Sequence, residues 1–516
     1  MNTINFCIIA TIVIYLLVML AIGFIFSKKN SDSTDFYLGG RKMGPLVTAM
    51  SAEASDMSSW LLMGLPGLAY LTGICDPGWT AIGLGIGTWL NWFFVARRLR
   101  RYSANIGAIT VPEFFSKRFH DKSNVLTLIS AIVIIIFFIP YTASGFAACG
   151  KLFNSLFGVD YTVAMVVSAC IIVGYTIMGG FKAVSTTDLI QSIVMTLALI
   201  VVVCYGVNYA GGWNFVVENA KALPGYLNMN AMYDPASGTS SGYGVLTIIS
   251  TMAWGLGYFG MPHILLRFMA IEDEKKLVLS RRIATVWVFI AMTVAIIIGI
   301  VGLGMTTANP EGLPFLEGSA SETIIVKIAG LISNHGILPA IIAGLILAGI
   351  LAATMSTADS QMLAAASSVS QNIVQDFFHA KLNEKKSLLI ARLTIVVIAV
   401  IAVFLAGNPN ASVFKIVSFA WAGFGGAFGA VMLCAIFWKR SNKWGALAGM
   451  LAGGATVFIW KFIVRPIGVE NANLAFLNIY ELLPAFIVAL LFVIVISLVT
   501  PKPDAEIEKE FDSAKA

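Results

Sequence analysis

The sequence predicts an all-α integral membrane protein of about 13 transmembrane helices, and its composition and its hydrophobic pattern both support this. Of the 516 residues, 58% are hydrophobic and only 12% are charged, whereas soluble domains carry about 25% charged residues. Apolar runs of about 20 residues, enough to cross a bilayer as a helix, recur along the whole chain. The predicted spans are residues 5–27, 45–71, 79–97, 124–148, 160–180, 186–208, 244–268, 282–306, 337–369, 389–407, 412–437, 444–463 and 477–499.

The distribution of basic residues predicts how the chain is oriented. All but six of the 33 Lys and Arg residues fall on one side of the predicted spans or at the adjoining helix ends, which is the positive-inside pattern. An odd number of spans then places the N-terminus outside and the C-terminus in the cytoplasm. We expect one transmembrane domain at residues 1–499, with its core at about 45–437, and a polar cytoplasmic tail at 500–516. The lipid bilayer is the expected environment, and the net charge of +6 reflects topology and not nucleic-acid binding.

Two carboxylates and a predicted helix break mark the second span as functional. Glu53 and Asp56 lie inside it, although an Asp at the centre of a membrane helix costs about 2.5–3.5 kcal/mol on insertion scales. Gly64, Pro66 and Gly67 follow and predict a break in the helix. Broken helices at membrane depth are tolerated where they are buried in protein or line a cavity, and in secondary transporters such breaks form the substrate and ion site.

These two carboxylates have different interpretations. Asp56 could bind a cation or a substrate amine, or could pair with a buried hydroxyl, and the cost of its burial favours a functional role. Glu53 lies three residues earlier on nearly the same helical face, so the two groups would repel each other if both were charged. Either a cation lies near them, or Glu53 is protonated or faces a polar partner. The sequence leaves these alternatives for Glu53 open.

The seventh span is interrupted in the same way as the second, by Gly255, Gly257, Gly260 and Pro262. Interrupted spans at corresponding positions of two halves are typical of inverted-repeat transporters. The two interrupted spans start five spans apart. Spans two to eleven therefore fit a five-plus-five inverted-repeat core.

The same span carries Trp254, Tyr258 and Pro262 at four-residue intervals, which places them on one face if the segment is helical. Such an aromatic stripe is often simple core packing. Beside a helix break, however, it could line a small apolar pocket with one hydroxyl group. A compact solute that contains a ring would suit that pocket.

Hydroxyl and carboxyl groups in two further spans are candidate ion ligands. Ser356 and Thr357 are adjacent in the ninth span, and with backbone carbonyls from a loosened turn they would offer the oxygen ligands found in transporter sodium sites. Alternatively, these hydroxyls hydrogen-bond back to their own helix. Asp188 lies near the start of the predicted sixth span, where a carboxylate is expected to cap the helix N-terminus.

The sequence gives no sign of enzymatic chemistry. The four His residues are scattered, and the six Cys residues lack the paired spacing of metal ligands. The chain has no phosphate-binding loop of the Walker type and no nucleophile constellation. We therefore expect neither an enzyme nor an organic cofactor, no metal other than sodium, and no obligate protein partner.

Five motifs distributed over the chain carry a family resemblance. They are Asp35–Arg41, Ser55–Gly67, Trp254–His263, Met355–Thr357 and Ala420–Gly425. Together they resemble the solute:sodium symporter family, and most closely its bacterial sodium/proline symporters, over nearly the whole chain. The resemblance implies a leucine-transporter-type fold in a bacterial inner membrane. It also implies a sodium site built from the backbone carbonyls and hydroxyls of Ala54, Met57, Ala353, Ser356 and Thr357.

The resemblance also implies roles for residues around the substrate. The positions matched to ion and proline binding, to the proline pocket and to the external gate are Asp56, Ser58, Gly64, Tyr141, Trp254, Tyr258 and Pro262. Asp188 matches an acidic position linked to sodium passage or to a second sodium ion. Glu53 departs from the family pattern, because some relatives have a small residue there. Asp188 and Glu53 are therefore candidates for a second ion path.

The expected function is sodium-coupled import of L-proline by alternating access. One alternative is a sodium symporter for another small solute, such as a betaine, a sugar acid or pantothenate. A second alternative is a transporter-like membrane sensor, which the short polar segment after Thr500 argues against. Sodium would be the coupling ion in either symporter.

Overall fold

Helices make up most of the computed structural model, which describes residues 3–27, 37–178 and 180–515. Asp35 and Phe36, the first two residues of the motif 35–41, lie outside this description. The helices of the first half are α1 (Thr3–Ser27), α2 (Pro45–Asp56), α3 (Leu65–Thr72), α4 (Cys75–Leu90), α5 (Ala96–Asn105), α6 (Val111–Arg118), α7 (Val125–Phe157), α8 (Tyr161–Met178), α9 (Phe181–Tyr209), α10 (Trp213–Ala222) and α11 (Val245–Met252). Those of the second half are α12 (Pro262–Ala270), α13 (Leu277–Ala308), α14 (Ile324–Ser333), α15 (Ile337–Ser367), α16 (Glu384–Leu405), α17 (Val413–Phe424), α18 (Ala430–Phe437), α19 (Lys443–Ile459), α20 (Arg465–Glu470), α21 (Leu482–Val499) and α22 (Ala505–Ser513).

Shorter irregular helical segments join several of these helices. Wide π-type turns occupy Trp60–Gly64, Asn91–Val95, Ser368–Phe377, Gly425–Gly429 and Trp460–Val464. Tight 3-10 turns occupy Gly39–Arg41, Ala253–Phe259, Glu274–Lys276, Gly318–Thr323 and Ala472–Leu477. In the connection at 209–243, strands β1 (Ala231–Asp234) and β2 (Thr239–Gly242) form an antiparallel hairpin. The rest of the described chain agrees with the all-α prediction.

Each of the thirteen predicted spans coincides with a helix or a pair of joined helices. By length and hydropathy, nine helical segments within the described residues could cross a membrane, and a tenth forms if the bent pair Val245–Phe259 and Pro262–Ala270 counts as one span. The second span, the third span and the shorter Tyr161–Ile177 are not among them. The count of thirteen therefore stays a prediction.

The second span is broken, but not where its glycines and proline predict. The backbone leaves the helix at Met57, with φ −77° and ψ 59°, and resumes in the π-type turn at Trp60. Gly64 has helical angles, and Pro66 is accommodated in the first turn of α3, where a missing N–H costs little. The prediction of a break at Gly64–Gly67 is wrong, because these residues serve packing and the break lies one to two turns earlier.

The seventh span breaks where it is predicted to break. The tight turn Ala253–Phe259 ends at Gly260, Met261 is extended with ψ 108°, and Pro262 begins α12. The helices on either side differ in direction by 46°. Trp254, Tyr258 and Pro262 therefore do not share one continuous helical face, because Pro262 belongs to a separate helix.

The core of the molecule surrounds the second span, whose residues 48–67 are all buried. Helix α2 packs against α9, α12, α13 and α15. On the predicted cytoplasmic side, the backbone N–H of Met43 donates to the carbonyl of Ala270 (3.2 Å), and that of Glu272 donates to the carbonyl of Met43 (3.0 Å). This short β-bridge joins the chain before α2 to the chain after α12.

The predicted polar tail contains a folded helix, α22, that packs onto α5. Its Ile507 and Phe511 side chains are buried. The Phe511 ring lies 4.8 Å from the guanidinium carbon of Arg98 and 5.1 Å from that of Arg118. The tail is therefore a docked element with an apolar face.

Candidate functional site

The break after Asp56 frees backbone carbonyl groups at the centre of the fold. Helix α2 ends as Met57 N–H donates to the carbonyl of Glu53 and Ser58 N–H donates to that of Asp56, both at 2.8 Å. The irregular turn leaves the carbonyl of Ala54 to a partner outside its own helix. Ser356 Oγ donates to that carbonyl at 2.7 Å. The break of the second span and the ninth span thus meet through oxygen atoms.

Four of the five predicted sodium-site residues lie together here. Besides its bond to Ala54, Ser356 Oγ lies 3.1 Å from the carbonyl of Ala353. Thr357 Oγ1 donates to the same carbonyl at 3.1 Å. The fifth residue, Met57, lies at the break itself. Carbonyl and hydroxyl oxygens are the ligands that hard cations prefer, and a cation would take the lone pairs that these hydrogen bonds now use.

The ninth span differs in one respect from its prediction. Helix α15 runs without interruption from Ile337 to Ser367, so no loosened turn is found around Ser356 and Thr357. Both hydroxyls bond back to Ala353 in their own helix, as the alternative interpretation expects. The freed carbonyl comes from the second span alone.

A narrow gap lined by polar side chains adjoins these oxygens. Its lining residues are Ser58, Tyr141, Thr142, Ser144, Gly145, Thr354, Thr357, Ala358 and Gln361. Tyr141 of α7 donates its hydroxyl to the backbone carbonyl of Asp56 at 3.2 Å. Tyr141 and Ser58, two predicted substrate-site residues, are therefore neighbours of Thr357 from the predicted sodium site.

The carboxylate of Asp56 points to the other interrupted span. Asp56 Oδ2 accepts a hydrogen bond from the Tyr258 hydroxyl at 2.5 Å. Asp56 Oδ1 is buried and, within the described residues, has no hydrogen-bond partner. One carboxylate oxygen is thus fixed by Tyr258 while the other is available to a donor.

Five aromatic side chains form a layer beside this pair, which we call the aromatic layer. Its members are Trp60, Trp254, Phe414, Trp421 and Tyr480. The Trp254 ring lies between 5.2 and 6.2 Å, centroid to centroid, from each of the other four rings. Trp421 Nε1–H donates to the carbonyl of Trp254 at 2.7 Å.

Tyr258 and Gly64 also contact this layer. Tyr258 meets Trp421 edge to face at 5.1 Å, so Trp254 and Tyr258 are brought together by Trp421 and not by a shared helical face. A Cβ at Gly64 would lie 3.2 Å from Cβ of Phe414. Pro262 is buried at the start of α12, beyond the break. Six of the seven predicted substrate-site residues thus lie around Asp56, Tyr141 and the aromatic layer.

A cavity of about 670 Å³ lies on the far side of the aromatic layer. Trp254, Phe414 and Tyr480 line it, together with the charged residues Asp76, Lys415, Lys461, Arg465 and Glu470. Residues of the connections predicted to be outside, including Met232 and Tyr243, also line it. The aromatic layer therefore separates this outer cavity from Asp56.

Glu53 has a hydrogen-bond partner in the third span. Glu53 Oε1 accepts a hydrogen bond from Trp92 Nε1–H at 3.0 Å. The sequence left three alternatives for Glu53: a nearby cation, protonation or a polar partner. The structure provides a polar partner, Trp92, for Oε1. Glu53 Oε2 is buried and lacks a hydrogen-bond partner among residues 3–27, 37–178 and 180–515.

Asp188 is not a helix cap. Helix α9 begins at Phe181, so Asp188 lies two turns inside it, and the capping prediction is wrong. Asp188 Oδ2 accepts hydrogen bonds from Ser51 Oγ (2.6 Å) and Arg267 Nη2 (3.3 Å). Arg267 also donates to Ser360 Oγ at 2.6 Å. This buried network joins α2, α9, α12 and α15 on the predicted cytoplasmic side of Asp56.

The sequence predicts no substrate-site role for Phe414, Trp421 or Tyr480. Trp421 lies in the motif Ala420–Gly425 and was visible as a motif residue, but no spacing pattern connects it with Trp254. Phe414 and Tyr480 have no local signal, because each is placed by the packing of distant helices.

The sequence of this chain matches a known protein family and known relatives. A model of the sodium:solute symporter family matches residues 36–453. The chain is 41% identical to the osmoregulated proline transporter OpuE of Bacillus subtilis over 497 residues, which is 96% of this chain and 95% of the relative. It is 39% identical to the sodium/proline symporter of Escherichia coli over 507 residues, 98% of this chain and 96% of that protein.

Solved structures share the architecture. A sodium-coupled sialic acid symporter in a substrate-bound outward-open state superposes with a TM-score of 0.78 at 18% identity, covering 96% of this chain and 98% of that one. MhsT in complex with L-phenylalanine gives a TM-score of 0.53 at 14% identity, covering 88% and 98%. The likeness confirms the predicted leucine-transporter-type fold.

Proposed function

Because the chain belongs to the sodium:solute symporter family, we propose that it imports L-proline together with sodium by alternating access. Members of this family are symporters and not enzymes, and sodium is their coupling ion. The relatives at about 40% identity include sodium/proline symporters that match over nearly their whole length. Proline as the substrate of this chain is our inference from them and from the site.

One observation carries the proposal: a single helix break presents one group to each ligand. The carbonyl of Ala54 faces Ser356, and the carboxylate of Asp56, two residues later, faces Tyr258. The sodium ligands would be Ala54, Met57, Ala353, Ser356 and Thr357. An ion that orders the break from one side would fix the carboxylate on the other side, which is the physical basis for coupling.

The chemistry of proline suits the substrate half of this site. Its secondary ammonium group could donate to the unpartnered Asp56 Oδ1, and its ring could pack on Trp254 and the rest of the aromatic layer. Tyr141, Ser58, Gly64 and Pro262 would complete the pocket. Buried polar groups that must be matched by a ligand donor give strong discrimination against solutes lacking one.

Transport would proceed through three arrangements. Sodium and proline enter from the outer cavity while the aromatic layer is open, and they stabilise its closure. The cytoplasmic contacts around Asp188 and the bridge at Met43 then separate, and both ligands leave inward. We propose that Asp188 lies on the sodium exit path, because it is a carboxylate on the predicted cytoplasmic side of the ion site and contacts Ser51 of the second span. Glu53 would act through Trp92 in holding α2.

The proposed topology places the N-terminus outside and α22 in the cytoplasm. The unit of transport would be residues 1–499, with its core at about 45–437, and 500–516 would be a docked tail. The positive-inside pattern supports this orientation.

Reciprocal binding tests the proposal directly. If sodium and proline favour the same state, each must tighten the binding of the other by the same factor. We expect radiolabelled proline to bind the purified protein more tightly in sodium than in choline or potassium buffer, and to accumulate in proteoliposomes along a sodium gradient. Equal affinity in all three buffers would refute coupling. An unlabelled betaine, sugar acid or pantothenate that displaces proline more effectively than proline itself would refute the substrate.

A further inference from the structure

Two arginines beneath the tail helix α22 are buried without a matching acceptor. Arg118, at the end of α6, is 0% exposed, and its Nε donates to the carbonyl of Ala435 at 2.8 Å. Its Nη1 and Nη2, like Nε and Nη2 of Arg98 in α5, are buried and have no hydrogen-bond partner in the part of the chain that the structure describes. Burial lowers the pKa of both guanidinium groups. A buried charge without a partner is costly, so an oxygen acceptor at these donor atoms would be stabilising.

The ring of Phe511 covers both arginines. It lies 4.8 Å from the guanidinium carbon of Arg98 and 5.1 Å from that of Arg118. Phe437 lies 5.0 Å from Arg98, and Phe119 lies 4.9 Å from Arg118. A cation over an aromatic ring gains about 0.5–2 kcal/mol, but the ring supplies no oxygen acceptor. An anion would satisfy the same donors better, because a guanidinium binds phosphate oxygens through two parallel hydrogen bonds.

The tail helix brings carboxylates to the edge of this site but not into it. Helix α22 carries four acidic residues against one lysine, which gives a net charge of −3. Glu510 Oε2 lies 3.0 Å from His120 Nε2, and Asp512 Oδ2 lies 2.6 Å from Lys439 Nζ. Neither carboxylate bonds to the unpartnered nitrogens of the two arginines. The acidic helix therefore complements the charge of the site while its buried donors stay unused.

The site lies at the predicted boundary between the bilayer and the cytoplasm. Arg98 directly follows the predicted third span, 79–97, and Phe437, which packs on it, ends the predicted eleventh span, 412–437. Phe437 is 41% exposed, so this side of the site borders a surface that lipid would cover. Anionic lipids of the cytoplasmic leaflet attract each Lys or Arg near the membrane surface by about 1 kcal/mol. In the proposed topology, a phospholipid headgroup is therefore an anion within reach of these arginines.

We propose that Arg98 and Arg118 form a binding site for the phosphate group of an anionic phospholipid, and that α22 competes with this lipid by placing Phe511 over the two guanidinium groups. The lipid and the docked tail would then exclude each other, because both need the same face of α5 and the end of α6. This site is separate from the proposed sodium and proline sites. It depends on the proposed topology and not on the proposed substrate.

Tail cleavage in bilayers of defined composition tests this competition. The full-length protein is placed in nanodiscs of phosphatidylcholine with and without phosphatidylglycerol, and trypsin cleavage at Lys509 is followed by mass spectrometry. A lipid at about ten times its dissociation constant shifts such an equilibrium about tenfold, so we expect cleavage to be faster by that factor with phosphatidylglycerol. Phe511→Ala, whose tail is already released, should be cleaved at one rate in both lipids, which controls for effects of lipid on trypsin. Equal cleavage of the wild type in both lipids would overturn the proposal.

Arg98→Gln and Arg97→Gln are matched variants that remove one positive charge each from neighbouring positions of α5. The Arg97 side chain is 61% exposed and lies 3.6 Å from Glu274, whereas Arg98 lies over Phe511. We expect cleavage of Arg98→Gln to be independent of phosphatidylglycerol, and Arg97→Gln to keep the response of the wild type. Arg118→Lys, which keeps the charge but lacks the planar fork of donors, should weaken the response. An equal loss in Arg97→Gln and Arg98→Gln would indicate general surface attraction and would contradict a specific site.

Lipid binding itself provides a second measurement. Native mass spectrometry counts the phosphatidylglycerol retained by delipidated protein after the lipid is added at a fixed concentration. Phe511→Ala should retain more than the wild type, because the competing ring is gone, and the added substitution Arg98→Gln should remove that gain. Unchanged or lower retention in Phe511→Ala would refute the competition between lipid and tail.

Inorganic phosphate at matched ionic strength separates the two possible sources of the anion. In phosphatidylcholine nanodiscs, we expect phosphate to leave cleavage of the wild type at the rate found in chloride. If phosphate accelerated cleavage as much as phosphatidylglycerol does, the arginines would bind a soluble anion and the assignment to lipid would be wrong.

Discussion

Ser356 and Asp56 lie on opposite sides of one helix break, where Ser356 belongs to the proposed sodium site and Asp56 to the proposed substrate site. Ser356 reaches across to the Ala54 carbonyl, while Thr357 bonds only within its own helix. Asp56 turns the opposite way, to Tyr258. The two ligands can therefore be disturbed separately by substitutions on either side of the break.

We expect Ser356→Ala to raise the sodium concentration for half-maximal uptake by about tenfold, since an ion ligand and a hydrogen bond of roughly 1 kcal/mol are lost.

Tyr258→Phe should instead raise the proline KM several-fold at saturating sodium, because Asp56 loses its hydrogen-bond donor. Uptake measured against each ligand at saturation of the other separates the effects. Thr357→Ser, which keeps the hydroxyl, is the control. If Tyr258→Phe changed only the sodium dependence, its pocket role would be wrong.

The sequence could predict residues whose chemistry is unusual for their surroundings, but not their partners. Asp56 and Ser356 were identifiable because a carboxylate or paired hydroxyls in an apolar span need a reason. Glu53 accepts from Trp92, and Asp188 accepts from Ser51 and Arg267. These donors come from other spans and have no spacing relationship to the carboxylates. Only the packed fold determines which distant spans meet.

At the scale of elements, the segment Ala253–Phe259 packs closely against α17. A Cβ on Gly257 would lie 1.9 Å from Trp421 Nε1. The glycine therefore admits the indole that donates to the Trp254 carbonyl. The sequence marked Gly257 as a helix breaker, whereas its structural use is close packing. Composition cannot separate these two uses of glycine.

We expect Gly257→Ala to destabilise the protein by about 1–3 kcal/mol, the usual cost of overpacking a core, and to weaken proline binding because Trp421 and Trp254 must separate. Thermal unfolding and equilibrium proline binding measure the two effects. Gly244→Ala is the matched control, since a Cβ there meets nothing within 4 Å. Equal behaviour of the two variants would contradict the packing argument.

At the scale of the whole molecule, the tail helix α22 is held by the buried Phe511 ring, with exposed ion pairs around it. Lys439 Nζ lies 2.6 Å from Asp512 Oδ2 and 3.2 Å from Glu508 Oε2. Hydrogen bonds from Lys439 and Lys515 lower the pKa of Asp512 to about 2. The ion pair of Asp512 with Lys439, which joins the tail to the rest of the protein, is therefore present above the ordinary Asp pKa and is lost only as the pH falls towards 2. The sequence predicts only a polar tail at 500–516, because its apolar face, Ile507 and Phe511, spans a single helical turn.

We expect Phe511→Ala to release α22, because truncation of a buried Phe costs about 3–5 kcal/mol and the exposed ion pairs contribute little. Trypsin should then cleave at Lys509 and Lys515 much faster than in the wild type, while the unfolding temperature of the membrane domain stays unchanged. Glu506→Ala, at an exposed position of the same helix, should cleave like the wild type. Unaltered cleavage of Phe511→Ala would show that the ring does not hold the tail.

The bridge between Met43 and the chain after α12 has a consequence for how this protein can be studied. Its two hydrogen bonds involve only backbone atoms, so replacing any side chain there leaves the donors and acceptors in place. An alanine scan at these positions would report only lost side-chain packing, such as that of the buried Met43, even if separation of the two backbone hydrogen bonds limited release to the cytoplasm. Proline at Met43 or Glu272 is the substitution that deletes a donor, which makes the inner closure a property of the main chain that most genetic screens would overlook.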